Sequence, residues 1–251
     1  MATNQLRAMS VGEILDAAFT VYRERFGLLI GISIIFLGLP TLINVYVELA
    51  GGVGAHVGLW FVALLISSLG WLPAAAATVW VISEAVLSRE PELGASVRLG
   101  LRRMGRLFVA GLAAYILVVL GFVALVIPAV IVACGYSVVV QVVVLEDLAA
   151  ATDALGRSWA LTKGYKGKAF GLALTYFAII LVPSVAALAV AAFVPAAETV
   201  VLVAAQVISF VVTPLFACVF TLFYYDLRVR KEGFDLDHLS RELGLAPAAR
   251  A

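Results

Sequence analysis

The sequence predicts an all-α integral membrane protein with six transmembrane helices, and three observations carry that prediction. Hydrophobic residues make up 64% of the 251-residue chain and charged residues 13%, with a mean hydropathy of +1.10, outside the range of soluble globular proteins. A bilayer crossing needs roughly 20 apolar residues at 1.5 Å rise. Such runs recur near residues 26–47, 58–86, 107–126, 128–145, 169–193 and 199–225. With six crossings, all 17 Lys and Arg residues fall on one side, in segments 1–25, 87–106, 146–168 and 226–251. The positive-inside rule makes that side cytoplasmic, with both termini inside. The opposite loops hold only Glu48, His56 and Glu198 as ionisable groups.

Each segment ahead of a pair of spans reads as a short amphipathic helix in the headgroup plane. In the first, Ser10 and Glu13 form a capping-box pattern ahead of Ile14, Ala18, Val21 and Tyr22 on one face. No apolar run precedes residue 26, so the first span is expected to be retained and not cleaved as a signal peptide. In the second segment, Pro91 suits a first helical position and Leu93, Val97, Leu101 and Met104 form a stripe beside Arg98 and Arg102. Gly121 and Pro128 mark a tight reversal between the third and fourth spans, with one long bent span as the alternative. The third segment runs from about Leu148, with Leu155 and Trp159 on its apolar side. After the last span, Phe234, Leu236, Leu239 and Leu243 sit among acidic residues in a tail that either docks or frays.

The units also repeat in detail. YRERFGL at 22–28 and YKGKAFGL at 165–172 share an aromatic residue, two basic residues one apart, and Phe-Gly-Leu at a span start; RRMGRLFVAGL at 102–112 is a looser copy. The chain is therefore expected to form one membrane domain of three units, each an interfacial helix plus a hairpin, near 9–86, 91–145 and 147–226, with a tail at 227–251. The glycine- and lysine-rich GYKGKAFG does not make a phosphate-binding P-loop, because neither a preceding strand nor the GK[ST] ending is present. Its lysines suit anionic headgroups instead. The same reading makes Arg23, Arg25, Arg98, Arg102, Arg103, Arg106, Arg157, Lys163, Lys166 and Lys168 the candidate headgroup contacts.

No catalytic constellation, cofactor motif or metal-ligand spacing stands out. His56 and His238 have no second ligand nearby, and Cys134 and Cys218 sit in apolar runs as small buried hydrophobes without a disulfide. The charge balance of +1 makes no case for nucleic acid. Charged groups deep in the bilayer, the usual mark of an ion-coupled transporter, are almost absent from the spans. Glu84 stands five residues before Arg89, and Glu146 and Asp147 end the fourth span, so all three are expected to reach the cytoplasmic interface. Neutral polar residues do occur within the spans, chief among them Asn44, Gln141, Tyr176 and Gln206, whose default role is interhelical hydrogen bonding.

The stretches MSVGEILDAAFTVYRERFG, ALGRSWALTKGYKGKAFG and FYYDLRVRKEGFDL together resemble the bacterial, actinobacterial-type membrane domain of glycerophosphoryl diester phosphodiesterases, in a stand-alone form. In fused members of that family, hydrolysis belongs to a separate soluble barrel. The resemblance therefore implies a membrane role, not phosphodiesterase activity, and carries no active residue over. The expected function is that of a non-enzymatic accessory protein organising lipids or partner proteins, or further copies of itself, at the cytoplasmic leaflet. The alternative is a permease or flippase-like transporter for a lipid or small amphiphile. A cavity lined by the neutral polar groups would favour transport; a packed bundle would favour the accessory role.

Overall fold

The computed structural model describes residues 8–194 and 198–232, and within them the chain is all helix, with no strand. The helices are α1 (Val11–Glu24), α2 (Phe26–Leu49), α3 (Val57–Val86), α4 (Leu93–Ala124), α5 (Val126–Gly135), α6 (Val139–Leu145), α7 (Asp153–Thr162), α8 (Lys166–Phe193) and α9 (Glu198–Glu232). Six of them, counting α5 and α6 as one interrupted crossing, are long and apolar enough to span a membrane.

The first and third units begin as the sequence predicts, with a separate short helix. The Ser10 hydroxyl accepts from the Glu13 amide at 3.2 Å, while the Glu13 carboxylate accepts from the Ser10 amide at 2.7 Å. This closes the capping box that starts α1. A break at Arg25 then separates α1 from α2. In the third unit the break falls at Gly164, whose φ of +88° suits a residue without a Cβ. The middle unit departs from the pattern. Its predicted elbow is continuous with the following span, because from Leu93 to Ala124 no proline interrupts a run rich in good helix formers. Pro91 lies ahead of that helix and not in its first turn.

The predicted reversal between the third and fourth spans is present. Leu125 is extended between α4 and α5, and the helices close so tightly that a Cβ on Gly121 would stand 2.9 Å from the Ala129 Cα. The fourth span is not the continuous helix its apolar run suggests, for it breaks at residues 136–138 and resumes as α6. Nothing in Tyr-Ser-Val announces that break, since none of the three is a helix breaker.

The hub of the bundle is α9, which packs against α1, α2, α3, α6, α7 and α8. Every residue from Cys218 to Arg228 is buried, so the FYYDLR stretch forms the core of the basic half of the molecule. The apolar faces of the two short helices turn against protein: Ile14, Ala18 and Tyr22 of α1 and Ala154 and Leu161 of α7 are buried. The helix also continues to Glu232, through the first residues that the sequence assigns to the tail. The rest of the tail, including His238 and the amphipathic stretch from Phe234 to Leu243, lies outside the described residues.

Candidate functional site

Two features bring polar side chains together: a clasp of ion pairs on the basic side, and a cavity at mid-depth. The clasp is centred on Asp226 of α9, which is fully buried. Its carboxylate accepts from the Met9 amide at 2.7 Å and from Arg230 Nε at 3.0 and 3.1 Å, and it pairs with Lys168 at the start of α8. Lys168 and Arg230 also donate to the Met9 carbonyl. One carboxylate thereby holds the entry to α1, the start of α8 and the end of α9 at one point. Neighbouring Lys166 places its ammonium 3.1 Å from the centroid of the Trp159 ring.

A second set closes into a ring. Tyr224 donates to Glu146 at 2.9 Å, Arg157 bonds Glu146 at 2.7 Å and pairs with Glu232, and Arg228 bonds both Glu232, at 2.8 Å, and the Tyr224 hydroxyl, at 3.1 Å. Burial works against the Arg157 charge, but the two carboxylates outweigh it and raise its pKa. Deeper in, Ser83 and Tyr225 share a hydrogen bond of 2.6 Å between α3 and α9. The basic ends of α6, α7, α8 and α9 are thus cross-linked by charge-assisted bonds, and α3 joins them through the neutral Ser83–Tyr225 bond.

Just above the clasp, the break in the fourth span is held by α7. The Gly135 carbonyl, at the end of α5, accepts from Ser158 at 2.9 Å and from Thr162 at 3.0 Å. Trp159 lies so close that a Cβ on Gly135 would stand 2.3 Å from its ring. An interrupted helix at membrane depth is tolerated where the freed backbone is buried in protein or lines a cavity, and here both hold. A cavity of about 280 Å³ opens beside the break, walled by α2, α3, α6, α8 and α9. Ser33, Thr78, Ser137, Gln141, Tyr176 and Thr213 give it polar groups, while Leu37, Trp71, Val140 and Phe216 give it apolar walls. Tyr176 stands ten residues into α8 and Thr78 eight residues before the end of α3. At 1.5 Å per residue both lie roughly 12 to 15 Å from the basic ends of their helices, near the middle of a hydrocarbon core about 30 Å thick. No charged residue is among the lining side chains.

The structure divides the residues singled out in the sequence. Of the four intramembrane polar residues, Gln141 and Tyr176 share the cavity, whereas Asn44 and Gln206 stand outside its lining. Of the ten basic residues, Lys168, Arg157, Arg25 and Arg103 are paired with carboxylates of the protein, the latter two with Glu90 at 2.8 Å and Asp147 at 3.4 Å. The hydrogen bond from Arg25 holds the exposed Glu90 carboxyl below its ordinary pKa. Lys166 is taken up by Trp159, and Arg23 lies 6.0 Å from the Phe19 ring centroid. Arg98, Arg102, Arg106 and Lys163 are exposed and have no acidic partner among the described residues. Arg98, Arg102 and Arg106 follow one another at every fourth position of α4, so they share one face.

Sequence reasoning did not single out Asp226, Glu146 and Glu232 as the carboxylates that organise the basic half. The local signals were the i, i+4 spacings of Asp226 to Arg230 and of Arg228 to Glu232, which are too common to single out a buried centre. Cys134 and Cys218 are buried and free, as expected, and His56 turns its Nε2 to the Ala50 carbonyl at 3.1 Å. Among the described residues, no group of three His, Cys, Asp or Glu side chains is arranged to hold a metal ion. Compared with known protein families, curated proteins and solved structures, the chain matches no family model, no curated protein and no solved structure.

Proposed function

We propose that this protein binds a lipid or small amphiphile at the middle of a bacterial cytoplasmic membrane and moves it, as a permease or flippase does, without enzymatic chemistry. The observation that carries this reading is the cavity at the broken fourth span. Binding sites of membrane transporters lie near the midplane, where discontinuous helices meet between repeated units. This cavity draws walls from all three units, α2 and α3 from the first, α6 from the second, α8 and α9 from the third. Its neutral lining suits transport without ion coupling. The cross-linked basic half supplies a rigid cytoplasmic base, with both termini inside in keeping with the distribution of Lys and Arg.

The accessory reading keeps one specific support, the exposed row of Arg98, Arg102 and Arg106. Each such residue near an anionic leaflet contributes on the order of 1 kcal/mol of attraction, so these three suit a contact with anionic headgroups. The likeness to the membrane domain of glycerophosphoryl diester phosphodiesterases is compatible with either role. Movement is measured with fluorescent lipid analogues in vesicles carrying the protein, using a membrane-impermeant quencher. Protein-dependent translocation is expected, falling to the protein-free rate when Ala75→Trp fills the cavity from α3. Equal rates with and without protein, across neutral and anionic analogues, would sink the transport reading.

A further inference from the structure

We infer that the cavity selects its ligand by an uncharged, hydroxyl-bearing headgroup, an inference that rests on the ligand-binding reading above. The six polar residues of the lining divide into two sets. Three satisfy themselves within one turn of chain: the Ser33 hydroxyl donates to the Leu29 carbonyl, Ser137 to Cys134 and Thr213 to Ser209, at 3.1, 2.9 and 2.7 Å. The other three do not. Gln141 is only 3% exposed and its Oε1 has no hydrogen-bond partner. The Thr78 and Tyr176 hydroxyls make no hydrogen bond with any described residue.

These three groups come from α3, α6 and α8 and face one space. A threonine or serine within a transmembrane helix readily donates to the carbonyl one turn back, as Ser33 and Thr213 do here, so the unbonded state of Thr78 leaves its hydroxyl for something else. A buried amide oxygen without a partner costs stability unless a ligand or water supplies a donor. A hydroxyl group donates and accepts at once, and so can serve Gln141 as donor while accepting from Thr78 or Tyr176. A charged head would enter the same space with no counter-ion in the lining and would lose its hydration uncompensated.

Size narrows the class further. The 280 Å³ cavity equals the volume of about nine water molecules at their share of the liquid, ~30 Å³ each. That accommodates a glycerol-sized head and the first carbons of a chain, not two whole acyl chains. Trp71, at the rim, is 44% exposed, so the cavity is continuous with the outer surface of the bundle, where the remaining chain can lie in lipid.

Binding to the full-length protein in detergent is measured by native mass spectrometry with three single-chain probes: 1-monooleoylglycerol, methyl oleate and oleoyl lysophosphatidic acid. Monooleoylglycerol is expected to bind on the order of tenfold more tightly than either of the others, since unmade buried hydrogen bonds and an unpaired charge each cost at least that factor. Gln141→Leu is expected to erase the preference. Because it removes an unpartnered acceptor, it should leave the melting temperature unchanged or raised. Tyr176→Phe, which deletes one hydroxyl and preserves shape, is expected to reduce the preference severalfold. Equal binding of all three probes would overturn the headgroup selection while leaving the ligand-binding reading intact. A preference that survives Gln141→Leu, or tightest binding of the lysophosphatidate, would overturn it as well. Binding of none would overturn both.

Discussion

Asp226→Ala is expected to destabilise the protein by about 3–5 kcal/mol, the scale observed when one partner of a buried ion pair is deleted and the other charge stays behind. Asp226 has no exposed surface, and the Lys168 side chain is only 12% exposed, so the lysine cannot turn to water without moving the start of α8. The same change strips the Met9 amide and Arg230 of their acceptor. In lipid nanodiscs or mild detergent this appears as a large fall in the thermal unfolding midpoint, or as failure to accumulate. The Asp226→Leu/Lys168→Met double variant should recover a substantial part of the loss, because it removes both charges and fills the space with apolar groups. If Asp226→Ala melts with the wild type, the clasp does not hold the three segments together.

The second large effect is expected at the break in the fourth span. Gly135→Val sets a branched side chain where a Cβ alone would stand 2.3 Å from the Trp159 ring. That ring is itself confined by Lys166 on its face and by Tyr136, whose ring centroid is 5.6 Å away. Overpacking of this kind costs typically 1–3 kcal/mol. Because α7 bonds the Gly135 carbonyl through Ser158 and Thr162, its displacement also loosens the backbone beside the cavity. A double-mutant cycle with Trp159→Ala separates the causes. Adding Gly135→Val to the Trp159→Ala background should cost much less than adding it to the wild type, a departure from additivity expected of residues in contact. Additive losses would mean that Trp159 and Gly135 are not opposed.

The features legible in the sequence are those written in local composition. Six spans follow from six apolar runs, the α1 cap from Ser10 and Glu13, and the reversal after α4 from Gly121 and Pro128. What stayed hidden depends on residues far apart in the chain. Lys168 looked like a lysine reaching for headgroups because its partner, Asp226, is 58 positions away in another helix. The GYKGKAFG motif is in large part a clasp onto FYYDLRVR: Lys168 meets Asp226, and Arg230 lies 5.5 Å from the Tyr165 ring centroid. Asn44 and Gln206 are neutral polar residues in apolar runs, as Gln141 and Tyr176 are, so nothing local set them apart. Only the packing of five helices decides which of them share a cavity. The break at 136–138 was equally invisible, since it is stabilised by Ser158 and Thr162 from α7 and not by any helix breaker of its own.

Occupancy of the cavity by an amphiphile is the claim on which the rest depends, and photo-crosslinking in native membranes tests it most directly. Cells fed a fatty acid whose diazirine sits within its first few carbons incorporate it into their lipids, and illumination followed by peptide mapping locates the attachment sites on the purified protein. The cavity account predicts adducts concentrated on the walls at 137–141 and 213–217, and their loss in the Ala75→Trp variant. Adducts spread along the exposed outer faces of α4 and α8, with none on those walls, would contradict it.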